Sequence, residues 1–186
     1  RIPRLQHRDA EGRLTTVTVV AGALPGAAVP LSPPPESWAS QPDADVAIWT
    51  LHLEPGARWM LPAATGQGTR RMLYYFVGNG LAVGPQAIRG HAALEVVASQ
   101  HWELVNTGTT AVECLLLQGR PIGEPVAQYG PFVMNTQQEI MQAMQDYRRT
   151  QFGGWPWPES DPVHGPQARR FARYPGSDRE DDPVLG

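Results

Sequence analysis

Alternating apolar and polar positions dominate the first two-thirds of the chain. LTTVTVVAG, residues 14–22, interleaves Thr and Val and stops at Gly, the pattern of a half-buried strand. DVAIWTLHLEPG puts Ala47, Trp49, Leu51 and Leu53 on one face and Val46, Ile48, Thr50 and His52 on the other, and Pro55-Gly56 turns the chain. ARWMLP reads as a short strand. Met72 to Val77 is a continuous apolar run that predicts a buried strand. Asn79-Gly80 follows it, and both residue types tolerate positive φ, so the spacing predicts a hairpin. HAALEVVASQHWELVNTGTTAVECLLLQG carries two or three more strands, broken at Asn106-Thr107-Gly108 and ending in the strong run Val112 to Leu117. Residues 14–118 thus hold roughly seven to nine short strands at the spacing of a sandwich or barrel.

The period changes after residue 135. Thr136 with Glu139 three positions on is a capping box, and Arg148 and Arg149 suit the negative end of a helix. Ile140, Met144, Tyr147 and Gln151 form one stripe with Ala143 beside it, so a helix over 136–150 docks through that face. Between strands and helix lies GRPIGEPVAQYGPFVMN, a connector whose prolines pre-set φ and lower the entropy lost on ordering. Tyr129, Phe132 and Met134 read as its anchors. Arg120 and Glu124 are its charged members, placed to pair or to bind nearby carbonyls. An earlier segment, ALPGAAVPLSPPPESWASQPD, is an extended proline-rich loop. Residues 151–186 are rich in Pro, Gly and charge, a composition that buries little. Within them FGGWPW carries Phe152, Trp155 and Trp157, which need an apolar seat, so the segment is expected to be anchored and the polar tail loose.

Composition narrows the class. The chain has 186 residues, enough for one real core, with 41% hydrophobic and 18% charged residues as in an ordinary globular domain. A net charge of −3 argues against direct nucleic-acid binding, which needs a basic face. No apolar run is long enough to span a bilayer, and the first residues lack a signal-peptide core. A single cysteine, Cys114, excludes an internal disulfide and a thiolate cluster, and a reducing cytoplasmic setting is the simplest expectation. All fifteen basic residues are Arg, which with the many Ala, Gly and Pro suggests a GC-rich bacterial genome.

Local motifs for chemistry are sparse. His7, His52, His91, His101 and His164 form no His-x-His or His-x-x-x-His pair. Cys114 sits mid-strand as a core thiol. GNGLAVG is not followed by a helix N-terminus, as phosphate binding requires, and the hairpin accounts for it. Arg70-Arg71 at a strand start reads as a solvated edge that discourages strand addition. No residue stands out as catalytic.

The strand-rich part resembles a cupin: all-β, a double-stranded β-helix barrel of jelly-roll type, here with one C-terminal α-helix and an irregular tail. GRPIGEPVAQYGPFVMNTQQEIMQAMQDY followed by FGGWPW resembles the C-terminal signature of the pirin family, and the likeness spans about residues 15–157. That resemblance implies a bicupin of which this chain is the C-terminal half. It divides the chain into a linker remnant (1–13), the cupin-like barrel (14–135), the docking helix (136–150) and the tail (151–186). It further implies iron or another divalent metal, held by three His and one Glu in the N-terminal cupin. Some members resemble quercetin 2,3-dioxygenases and others regulate through partner proteins.

Overlaying the cupin motifs on this chain tests for metal ligands. From Gly56, the two His positions fall on Pro62 and Ala64, and the Glu falls near Gly68 or Thr69. From Gly90, the second motif's Pro and Gly become Val96 and Ala98, and its His falls on His101. One imidazole cannot build a three- or four-ligand site, so no cofactor is expected in this chain and His101 is at most a vestigial ligand position. The expectation is therefore a metal-free unit that packs beside the metal site of an N-terminal cupin in cis, with Arg120, Glu124, Tyr129, Phe132, Phe152, Trp155 and Trp157 as structural or interaction residues. The alternatives are part of an iron-dependent quercetinase-like enzyme whose catalytic residues lie outside this chain, a regulatory protein-binding module, and a barrel binding a small molecule against Trp49, Trp59 or Tyr75. Without an N-terminal half, self-association is expected through the face so exposed.

Overall fold

The structure, a computed structural model, describes residues 2–158, 160, 171–174 and 176–181. Twelve strands, one α-helix and a short 3-10 turn at Trp38–Ser40 precede the tail: β1 (Arg4–Arg8), β2 (Leu14–Ala21), β3 (Ala47–Leu53), β4 (Arg58–Leu61), β5 (Arg70–Val77), β6 (Leu81–Val83), β7 (Gln86–Ile88), β8 (Ala92–Glu95), β9 (Trp102–Asn106), β10 (Val112–Gly119), β11 (Ala127–Tyr129), β12 (Phe132–Met134) and α1 (Gln137–Thr150). A short pair, β13 (Ala172–Arg173) and β14 (Glu180–Asp181), lies in the tail. The loose-tail expectation for 161–170 and 182–186, and His164 with it, lies outside the described residues. Among the described residues no helix is long and apolar enough to cross a membrane.

The chain divides into two units, Arg1–Gly123 and Glu124–Gly186. In the first, a six-stranded sheet ordered β1-β2-β3-β10-β5-β8 and a four-stranded sheet ordered β4-β9-β6-β7 are antiparallel throughout and share one core. The two sheets form the sandwich of a cupin rather than a closed barrel. Alternation along β3 behaves as its sequence dictates: Ala47, Trp49, Leu51 and Leu53 are buried, while Thr50 and His52 are exposed. Val17, Leu73, Cys114 and Leu116 lie beside them on the same inner face, and Trp59, Leu61, Leu81 and Leu104 face them from the other sheet.

Three expectations change. Residues 1–13, read as a linker remnant, contain β1, which pairs with β2 from Arg4↔Thr18 to Arg8↔Leu14. The Asn79-Gly80 hairpin does not form: β5 pairs with β10 and β8, leaving no free edge for β6, which joins β9 in the other sheet. Asn79 instead marks a corner between sheets, its Oδ1 accepting from the Thr109 N–H at 2.9 Å. Gly80 is required there by close approach, since a Cβ would meet the Gly108 nitrogen at 2.7 Å. Arg70-Arg71 is no sheet edge, because β5 is an inner strand, and Arg71 is only 1% exposed.

The second unit is a hairpin, β11–β12, turning at Gly130-Pro131 (Gly130 φ +55°), followed by α1. Thr136 caps α1 with Glu139 in a reciprocal capping box, as the sequence predicts. Ile140 and Ala143 are buried and Met144 half-buried, the inner part of the predicted stripe.

Candidate functional site

The loops picked out by the two overlaid motifs meet at one mouth of the sandwich. Residues 62–69 leave β4 and lead into β5, and residues 96–100 leave β8. The Ala64 N–H donates to the Ala98 carbonyl at 2.7 Å, tying one loop to the other. Between them opens a pocket of about 760 Å³, whose lining includes Ala64, Thr69, Arg70, Glu95, Val97 and Ser99.

Beside the mouth lies a polar network absent from the sequence expectations. On β5 the inward positions are Arg71, Leu73 and Tyr75, so strict alternation drives the guanidinium indoors. Arg71 Nε donates to Gln118 Oε1 at 2.8 Å, Nη2 donates to the same oxygen, and Nη1 donates to the Pro62 carbonyl at 2.7 Å. Gln118 Nε2 in turn donates to the Asp45 carbonyl at 3.0 Å. Asp45 has φ +49°, a left-handed conformation that Asp tolerates better than most residues. Its carboxylate accepts from the Gly66 N–H at 2.9 Å and the Thr69 hydroxyl at 2.7 Å, which pins the mouth loop. Gly66 has to be small, because a Cβ would lie 2.8 Å from the Asp45 side chain. Burial depresses the Arg71 pKa from its ordinary value, and the Asp45 charge opposes that. Every atom that accepts from the guanidinium is a neutral oxygen. The signal for Arg71 was present in the alternation with Leu73 and Tyr75, but the doubled arginine obscured it.

A metal does not fit here. Pro62 offers only its carbonyl, already engaged by Arg71; Ala64 and Gly68 have no donor atom; the Thr69 hydroxyl is bound to Asp45. Val96 and Ala98 are buried apolar wall, and His101 is exposed ahead of β9. A buried guanidinium and a row of apolar side chains stand where a cation site needs convergent lone pairs.

The other singled-out residues are dispersed. Arg120 pairs with Asp43 and lies over the Trp38 ring at 4.9 Å, and its N–H donates to the Ala44 carbonyl at 2.7 Å. Glu124 accepts from Asn135 Nδ2, so Arg120 and Glu124 are bound separately, each within its own unit. Phe132, Tyr147 and Phe152 form a T-shaped aromatic cluster with centroids 5.3–6.3 Å apart. Tyr129 and Trp155 are largely exposed and Trp157 is half-buried. His52 and His7 are exposed, and His91 lies edge-on to Tyr75 at 5.5 Å. Trp49, Trp59 and Tyr75 are core residues, and neither Trp49 Nε1 nor Tyr75 Oη finds an acceptor among the described residues. Burial pushes the Cys114 thiol up to about 12, consistent with an inert core group.

Comparison with known proteins places this geometry. Residues 48–153 match the family described as the pirin C-terminal cupin domain. A Pseudomonas aeruginosa protein provisionally named quercetin 2,3-dioxygenase is 32% identical over 148 residues, covering 79% of this chain and 48% of its own length. Human pirin is 32% identical over 105 residues, covering 54% of this chain and 35% of its own. A crystal structure of quercetin 2,3-dioxygenase from Acinetobacter baumannii superposes with a TM-score of 0.64 at 14% identity, over 93% of this chain and 52% of that one, and so supports the fold. The chain spans about half the length or less of these curated relatives. With more than half of its residues matched to that domain, the chain belongs to the pirin family and carries the family's C-terminal cupin domain.

Proposed function

We propose that this chain is a metal-free cupin unit whose role is structural, packing in cis beside the metal site of an N-terminal cupin. The observation that carries this reading is the buried Arg71 guanidinium bonded to the Pro62 carbonyl, among motif positions that offer no ligand set. Packing is supported by the outer face of the six-stranded sheet. There Met72, Tyr74 and Phe76 of β5 adjoin Leu115 and Leu117 of β10, and Tyr74, Phe76 and Leu117 are 37–45% exposed. Such a contiguous apolar face is a protein-contact surface. By itself the chain self-associates through it, and light scattering at rising concentration should show mass above the monomer. The exposed aromatics of the second unit, Tyr129, Phe152 and Trp155, serve the same packing role in this reading.

The test is metal analysis of the purified chain after incubation with ferrous iron. Well under one equivalent is expected, and stoichiometric, chelator-resistant iron would overturn the reading. A second reading follows from the relatives' names: the chain is part of an iron-dependent quercetin 2,3-dioxygenase-like enzyme, with ligands and catalysis in the N-terminal cupin. Joined to such a domain, the chain should support flavonol oxidation that survives R71A in a folded protein and is lost on removing the other half's metal ligands.

A further inference from the structure

The mouth pocket holds charged groups that the fold does not use. The side chains of Arg70, Glu95, Gln67 and Ser99 make no hydrogen bond or ion pair among the described residues. Glu95 pairs in register with Met72, two positions from Arg70, so Arg70 and Glu95 are diagonal neighbours on one face, and the structure still keeps them apart. Between them on that outer face lies Val97, 52% exposed, while Val96 and Ala98 alternate inward and are buried. The loop that carries the rim is held in place by Asp45, which is itself held through Gln118 by Arg71. A pre-formed concave site with some apolar surface and a few unengaged polar groups is the usual form of a small-molecule site. Its rigidity lowers the entropy lost on binding.

We propose that this pocket binds a small hydroxylated organic acid, its carboxylate taken by the Arg70 guanidinium and its hydroxyl donating to Glu95. A guanidinium fork matches a carboxylate in geometry and charge. Glu95 accepts from a hydroxyl and repels a second negative charge, which selects against phosphate and dicarboxylates. Ser99 supplies a further hydroxyl, and the exposed Val97 side chain with Ala64 takes the body of the ligand. This binding needs no metal and goes beyond the packing role; iron uptake by the chain would sink that role and leave this one to be judged by its own titration.

The experiment is NMR titration of the full chain with 4-hydroxybenzoate. Benzoate, 4-hydroxybenzyl alcohol and inorganic phosphate serve as competitors of altered chemistry. Amide shifts confined to residues 64–70 and 95–99 are expected, with 4-hydroxybenzoate bound more tightly than either benzoate or the alcohol. R70Q should weaken binding by roughly tenfold, the worth of one charge-assisted contact. E95Q should narrow the preference for 4-hydroxybenzoate over benzoate, and R148Q, on α1, should leave binding unchanged. All three sites are exposed, and equal melting temperatures will show that the fold is intact. No localised shift at millimolar 4-hydroxybenzoate, binding unaltered by R70Q in a folded chain, or tighter binding of phosphate would each overturn the proposal.

Discussion

A guanidinium 1% exposed with only neutral oxygens as acceptors makes Arg71 the residue on which the mouth depends. Arginine is rarely buried so completely without a paired anion. Truncating it leaves Gln118 Oε1 and the Pro62 carbonyl without their donor, at about 1–3 kcal/mol for each buried unmet group. R71A is therefore expected to lower the unfolding free energy by about 2–4 kcal/mol in urea titrations. R71K should recover less than half, because an ammonium cannot reproduce the fork that meets Gln118 and Pro62 together. Cys114 gives a pH test. The folded thiol keeps its proton up to about 12, while the unfolded chain releases it near the model-compound value of 9.0. The native state thus binds more protons between those values, so the thiol's contribution is constant below pH 9 and is lost as pH rises towards 12. The C114A variant should lose stability less steeply over that alkaline range, and native Cys114 should resist thiol reagents at neutral pH. Arg71 was missed in the sequence because burial of a charge is a tertiary outcome; only its inward register, shared with Leu73 and Tyr75, foretold it.

At the scale of elements, local chemistry was legible and pairing was not. The capping box on α1 forms as read, with the Glu139 N–H donating to Thr136 Oγ1 at 3.2 Å and the Glu139 carboxylate accepting from the Thr136 N–H at 2.8 Å. T136A should cost about 1 kcal/mol and fray the first turn, measurable by hydrogen exchange at residues 137–140. Asn79-Gly80 shows the limit. The residues suit a hairpin turn, but the chain only bends there, because β5 already has neighbours on both sides and the chain has to cross to the other sheet. Nothing within a few residues of the turn encodes that, because the competing strand, β10, lies beyond residue 111. G80A should destabilise the corner by about 1–3 kcal/mol, since its Cβ would press on the Gly108 backbone; chemical denaturation would show the loss.

For the molecule as a whole, the cupin class and the family were legible because alternation and one long motif are carried by consecutive residues. The site was legible mainly as missing ligands, at Pro62, Ala64, Val96 and Ala98; the pocket that replaces them needs the two loops brought together, as the Ala64–Ala98 bond shows. The sheet order has one more effect. β10 lies between β3 and β5, so the central strand of the larger sheet is the last of that unit to be made. While the ribosome is still translating residues before 112, β3 and β5 each present an open edge with no neighbour yet in existence. Long-range pairing of this kind folds slowly and leaves strand edges available for wrong partners. Nascent chains stalled before β10 emerges should be cut readily by protease and recruit chaperones, and chains stalled with residue 123 well clear of the exit tunnel should resist.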